Sequence, residues 1–535
     1  MRNRLENIAS YSSYAVYVIV ALIGIVINFW TFDKCFVMSD DAWYLCLMRD
    51  LPSGLISSSH LLFFNVFDNN IYAIRVVCYV LNIVAGGVFA FGLFLYSERW
   101  LLLEKVGKSK PIIWVMLWMF VVFAGQLRVI TCPSFNYITL NQIIMQLSFG
   151  LLMVSLARKD SIAMFFSGFF IAMLIPVMIT NVIAIPFIFA FIVLHIYTSR
   201  DLNSKMSVWM SDSLKKLAVY AIGMVGFLIL YFVLVEDIKS YLSNFVKNVN
   251  ETVVRGEDNY GIQFLYKWLH RTMIFYFMQV VMLAFVLHFT PVLAAKMNLH
   301  GKISIIFRII MYIAVVMYIR AAVNYDINFF LWLLAFYLLL DEKNISNRKM
   351  QLFFGLFMLM PVCLSFGTNN SFKDRGYEYM SFVTPLLFVC SVRWWQKIMV
   401  SVVLVFYAVE MCMSLYCPTW HGDIYAEQKC DVRSLGIEQK LYVDEKTFDR
   451  LKFTQQYLSC GDTVWCDTEN WGNVELLGLV PVSYDYRMNP ILVDSVNNVM
   501  LREDGRYSDV IEYMDSKQDY DKYCCGKFLL YIRRF

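Results

Sequence analysis

The chain has 535 residues, 59% of them hydrophobic and 16% charged, with a mean hydropathy of +0.56. A soluble globular chain carries roughly 25% charged residues, so the composition excludes a soluble, disordered or collagen-like protein and points to a polytopic membrane protein. The net charge of +4 hides an asymmetry: residues 1–416 hold 32 Lys+Arg against 22 Asp+Glu, and residues 417–535 hold 14 against 20. Neither part has a dense basic run interleaved with aromatics, so no nucleic-acid partner is expected.

In chain order, residues 13–30 are apolar over a full span and read as a signal anchor rather than a cleavable leader. Further spans are predicted near 71–96, 111–127, 137–156, 161–178, 181–197, 216–235, 271–295, 303–319, 326–340, 350–366, 379–392 and 398–416. That makes about thirteen transmembrane helices. With the N-terminus inside, inner loops carry most of the basic residues, among them Arg2, Arg4, Lys105, Lys108, Lys302 and Arg348. The positive-inside rule therefore favours a cytoplasmic N-terminus, and an odd number of spans puts the C-terminal tail outside. The expected localisation is a multi-pass integral membrane protein, in a bacterial inner membrane with a periplasmic tail. The endoplasmic reticulum stays open as the alternative. Asn250-Glu-Thr252 is a glycosylation sequon that would matter only there.

The first outer loop is the most informative segment. Asp40 and Asp41 follow span one, and Trp43, Leu47 and Asp50 recur after them at helical spacing. An amphipathic helix lying in the membrane interface is expected. Two adjacent carboxylates at a membrane face can act as a base or hold a divalent cation, Mg or Mn. The competing reading is that Ser39 or Asp40 merely caps the helix. His60, followed by Leu61 and Leu62, comes next, and Ala73-Ile-Arg75 opens span two.

This order of acidic pair, short helix, His and Arg resembles the GT-C glycosyltransferases, especially the protein O-mannosyltransferase and aminoarabinose transferase group. The match departs from that group in having Asp41 where a Glu is usual, and Leu61 and Leu62 in place of two prolines. Pro133 to Leu140 opens span four with Phe135-Asn136 and Tyr137, similar to a Tyr-Asn-Thr-Leu-like element of bacterial members. A third likeness is Gly367-Thr-Asn-Asn370, followed by Lys373 and Arg375. The resemblance implies a GT-C-like fold and a sugar donor carried on polyprenyl phosphate. The acceptor would be a glycan, lipid or protein among membrane lipids. It also implies Asp40 or Asp41 as catalytic base. The substrate-binding residues would be His60, Arg75, Arg128, Asn136, Tyr137, Arg320, Asn369, Lys373 and Arg375.

Charge at membrane depth is costly, and Arg75, Arg128, Arg271, Arg320 and Asp326 all map to the outer side. Guanidinium holds phosphate oxygens bidentately, so these arginines suit a lipid-linked phosphate. Snorkelling to headgroups is the plainer alternative. His195 and His288 read as satisfied structural histidines.

From residue 417 the tail alternates strand-like runs at 463–466, 480–484 and 527–532 with helical patterns at 445–458 and 507–515. A small extracytoplasmic α/β domain over 417–535 is expected, behind a transmembrane glycosyltransferase domain over 1–416. The tail cysteines lack CxxC spacing, and disulfides among them stay open. Three rival functions also remain: a lipid-linked oligosaccharide flippase or transporter, a polysaccharide polymerase, and a non-catalytic membrane subunit.

Overall fold

A computed structural model describes residues 2–36, 40–50, 67, 70–100, 137–177, 184–198, 206–235, 348–364, 380–391, 394–417, 424–484, 490–505 and 507–534, with short pieces between 114 and 119 and between 237 and 339. Its apolar helices are α1 (Arg2–Thr31), α3 (Ile71–Trp100), α4 (Tyr137–Arg158), α5 (Ser161–Val177), α6 (Ala184–Thr198), α7 (Met206–Leu234), α8 (Arg348–Leu364), α9 (Thr384–Cys390) and α10 (Trp394–Ser414). A short helix, α2 (Asp40–Asp50), lies between α1 and α3.

Five stretches among the described residues are long and apolar enough to cross a membrane: Tyr11–Thr31, Ile71–Trp100, Thr139–Arg158, Ser213–Leu234 and Trp394–Ser414. Both predicted spans around Pro176 are helical, and that proline lies inside α5. The spans expected near 111–127, 271–295 and 326–340 fall mostly outside the described residues and that near 303–319 does so in part, and with them the count of thirteen. The chain divides into two compact units: residues 1–25, 81–128 and 141–410, and residues 26–80, 129–140 and 411–535.

The first unit is helical. Glycine sets how closely its helices approach. A Cβ on Gly92 of α3 would overlap the carbonyl of Gly150 on α4, and one on Gly168 of α5 would overlap Tyr220 O on α7. Small residues let membrane helices pack backbone to backbone. The α3–α4 pair runs parallel, since Arg99 and Trp100 donate to Ala157 O and Leu156 O further along. Ser148 and Ser167 join α4 to α5 by reciprocal bonds, each hydroxyl donating to the other's backbone carbonyl at 2.9 and 2.8 Å. A cluster of Phe89, Phe149, Phe191, Phe353, Phe357 and Phe382 fills the interior with mostly tilted or edge-on rings.

The second unit contains the tail. A five-stranded sheet is built from β3 (Thr463–Cys466), β4 (Val480–Pro481), β5 (Asn498–Arg502), β6 (Tyr520–Cys525) and β7 (Phe528–Arg533), in the order β4-β3-β5-β7-β6. Strand β3 runs parallel to β4 and β5, while β7 runs antiparallel to β5 and β6. A two-stranded ribbon pairs β1 (Cys430–Asp431) with β2 (Tyr442–Val443). The helices are α11 (Glu445–Gln455), α12 (Trp471–Leu476) and α13 (Ser508–Ser516). Asp444 caps α11 by accepting from Thr447 N at 2.9 Å. Gly526, at φ +58°, opens the two-residue loop between β6 and β7, where a tight hairpin turn needs a positive φ.

Candidate functional site

The acidic pair sits in the second unit. Asp40 opens α2, and Asp41 is the second residue of that helix. The end of a helix where backbone N–H groups lack partners favours negative charge, which is one reason acidic residues are common there.

The backbone just past α1, residues 32–35, is fixed from two sides. On one side is Arg75, on the first turns of α3, only 1% exposed. Its guanidinium donates to Phe32 O at 3.1 Å, Lys34 O at 3.0 Å and Cys35 O at 2.8 Å. These carbonyls lie just past the end of α1, where the helix dipole is negative and carbonyls have no helical partner, so a buried cation is favoured there. Cys35 itself turns with φ +59°, a left-handed conformation that a side chain adopts at a cost. On the other side is strand β2: Tyr442 N donates to Asp33 O at 2.6 Å, and Cys35 N donates to Tyr442 O at 3.1 Å. Lys440 reaches Asp33 at 4.0 Å and lies 3.9 Å from the centre of the Tyr72 ring.

The helix α2 was expected to rest in the membrane interface. It instead enters the core of the α/β domain. Ala42, Leu45, Cys46, Leu47 and Met48 are buried in one cluster with Val464, Trp465, Trp471, Val474 and Leu479. The reason is mutual need: the sheet and α12 leave an apolar surface, and α2 is apolar on most sides. A buried leucine or methionine contributes about 1.5–3 kcal/mol. Polar contacts lock the register. Trp43 Nε1 donates to Tyr484 O at 2.9 Å, and Arg49 donates to Leu479 O at 2.8 Å. Arg49 also pairs with the nearly buried Glu475 at 3.3 Å. Tyr484 donates its hydroxyl to Asp50 at 2.9 Å, and burial followed by that carboxylate pushes its pKa up to about 12. The buried Cys46 thiol is pushed well above its usual pKa by burial and then by Glu475, which keeps it an unreactive thiol.

Trp43, Arg49, Tyr442, Glu475 and Tyr484 are positioning residues that sequence reading does not single out for this role. Only the helical spacing of Trp43, Leu47 and Asp50 hints at α2, and nothing local names its partner.

The remaining predicted site residues are placed as follows. Tyr137 is the first residue of α4. His60, Arg128, Asn136, Arg320, Asn369, Lys373 and Arg375 lie outside the described residues, as do the side chains of Asp40, Asp41 and Tyr137. Arg75 is the one candidate whose side chain is described, and its guanidinium is engaged with backbone carbonyls. Among the described residues no group of three or more His, Cys, Asp or Glu side chains gathers as a metal site. Among the described residues no disulfide joins the tail cysteines 417, 430, 460, 524 and 525.

The elements define a multi-pass, mostly helical membrane protein with a small C-terminal α/β domain. No family model and no curated protein matches the chain. Among solved structures, a crystal structure of the Archaeoglobus fulgidus oligosaccharyltransferase, in complex with Zn and sulfate, is similar over 97% of this chain and 73% of that one. The TM-score is 0.46 and the sequence identity 10%, a likeness too distant to assign chemistry.

Proposed function

We propose that the chain is a membrane glycosyltransferase of the GT-C kind. It would move a sugar from a polyprenyl-phosphate donor to an acceptor hydroxyl on a glycan, lipid or protein, at the periplasmic face of a bacterial inner membrane. The observation that carries this reading is the construction of the first loop. An acidic pair opens a helix whose approach and register are fixed by Arg75, Tyr442, Trp43 and Arg49. A base must be held within hydrogen-bond reach of the proton it takes, and such bracing serves that need.

In this mechanism Asp40, with Asp41 beside it, accepts the proton of the acceptor hydroxyl as its oxygen bonds to the anomeric carbon. The bond from that carbon to the phosphate oxygen breaks, and the lipid phosphate leaves with the electron pair. A single displacement inverts the anomeric centre. Arg128, Arg320, Lys373 and Arg375 stabilise the charge that grows on the phosphate. His60, Asn136, Tyr137 and Asn369 hold the donor. Arg75 serves in positioning, since both of its terminal nitrogens donate to backbone carbonyls. A divalent cation, Mg or Mn, would find hard oxygen donors in Asp40 and Asp41.

The test is transfer from a polyprenyl-phosphate sugar by Asp40→Asn and Asp41→Asn in membranes matched for protein abundance. At least one variant should lose on the order of a hundredfold or more in rate, as removal of a general base does. Full activity in both overturns the mechanism.

A further inference from the structure

Helix α4 is the most enclosed of the five candidate spans, with 83% of its apolar window buried inside the protein. It nevertheless carries two glutamines on one face, Gln142 and Gln146, which are 1% and 0% exposed. Residues four apart on a helix stand one above the other. Among the described residues, the Gln142 Nε2 group has no hydrogen-bond partner, and neither Nε2 nor Oε1 of Gln146 has one. Ser381, 0% exposed, has an unpartnered hydroxyl as well.

In the first unit, α4 packs against the segment that carries Ser381. Phe149 follows Gln146 within a turn, and its ring packs on Phe382, next to Ser381, with centroids 5.3 Å apart. Phe89 closes the same contact at 5.1 Å from Phe382. Polar groups left unmet in such an apolar interior are costly, and in native proteins they usually have a partner. No Lys, Arg, Asp or Glu belongs to this set. The groups together offer amide donors, an amide acceptor and a hydroxyl, a set that matches adjacent hydroxyls and would hold an anion poorly.

We propose that Gln142, Gln146 and Ser381 form a binding site for a neutral, hydroxyl-bearing group, the glycosyl part of the lipid-linked donor. The identification of that group rests on the transferase reading above. Gln146, with both ends of its amide available, would donate to one hydroxyl and accept from its neighbour.

Substitution by methionine separates this role from packing, because methionine keeps nearly the same shape and removes the unmet amide. Full-length protein in lipid nanodiscs would be titrated with decaprenyl-phosphate mannose and with decaprenyl phosphate lacking a sugar. Gln146→Met should weaken binding of the sugar-bearing lipid about tenfold or more, leave the sugar-free lipid unchanged, and hold or raise the thermal midpoint. Ser381→Ala, a smaller change, should show the same contrast more weakly. Unchanged binding of both lipids, or equal weakening of both, overturns the site while leaving the transferase reading intact. Wild-type protein that binds neither lipid removes that reading and, with it, this inference.

Discussion

Arg75 illustrates how a residue type constrains chemistry without fixing its role. An arginine opening a membrane span suits a phosphate, yet this one is buried against the carbonyls of Phe32, Lys34 and Cys35. Lysine has a compact ammonium with no planar fork and cannot reach three carbonyls in the same geometry. Arg75→Lys should therefore lower the transfer rate at least tenfold through misplacement of α2, while KM for the lipid donor stays near the wild-type value. A large rise in donor KM with unchanged kcat would return Arg75 to the phosphate. In the tail, Asp467 accepts from Arg502 N, Glu469 N and Asn470 Nδ2. Burial outweighs these bonds and raises its pKa to about 6. The unfolded carboxyl titrates near 4, so between these pH values the folded state binds more protons. The contribution of this group to stability is then fully present below about pH 4 and is lost as pH rises through 6. Asp467→Asn should flatten that part of the stability profile, as thermal melts across pH 4–7 would reveal.

At the scale of elements, the docking of α2 decides how the acidic pair is held. Its apolar face and the α12–β3 surface belong to one core, so the helix and the domain should unfold together. Leu45→Ala removes a fully buried side chain and should cost about 2–4 kcal/mol in the stability of this unit, read as faster proteolysis of the tail. Protease resistance equal to wild type would mean that α2 adds nothing to the domain. Several elements were legible beforehand. Strand β3 falls on its predicted residues, and α11, α13 and β7 fall within a few positions of theirs. Strands β5 and β6 were not, for physical reasons. Residues 498–501 of β5 are buried and carry no alternation to read. The β6 sequence YDKYCC has a charged, mixed pattern whose strand character comes from pairing with β7.

At the scale of the whole molecule, orientation is the property most open to measurement. The excess of Lys and Arg in alternate loops predicts an inner N-terminus and an outer tail. Cys417, Cys460 and Cys524 are exposed thiols in or at the base of the tail. A membrane-impermeant maleimide should label them in intact spheroplasts at the level seen after permeabilisation. Labelling that needs permeabilisation would invert the topology and move the proposed chemistry to the cytoplasmic face.

The membrane class, the apolar helices, the acidic opening of α2 and the α/β character of the tail are all readable from the amino-acid sequence. Each is written in local composition and periodicity, where residues near in the chain report on one another. What these parts touch is a tertiary outcome: α2 enters the tail's core, Arg75 turns to backbone carbonyls, and, among the described residues, the Nε2 of Gln142 and the whole amide of Gln146 are enclosed without partners. Those outcomes depend on which surfaces meet across hundreds of residues. Burial, which sets the strength of every polar contact, exists only once they have met.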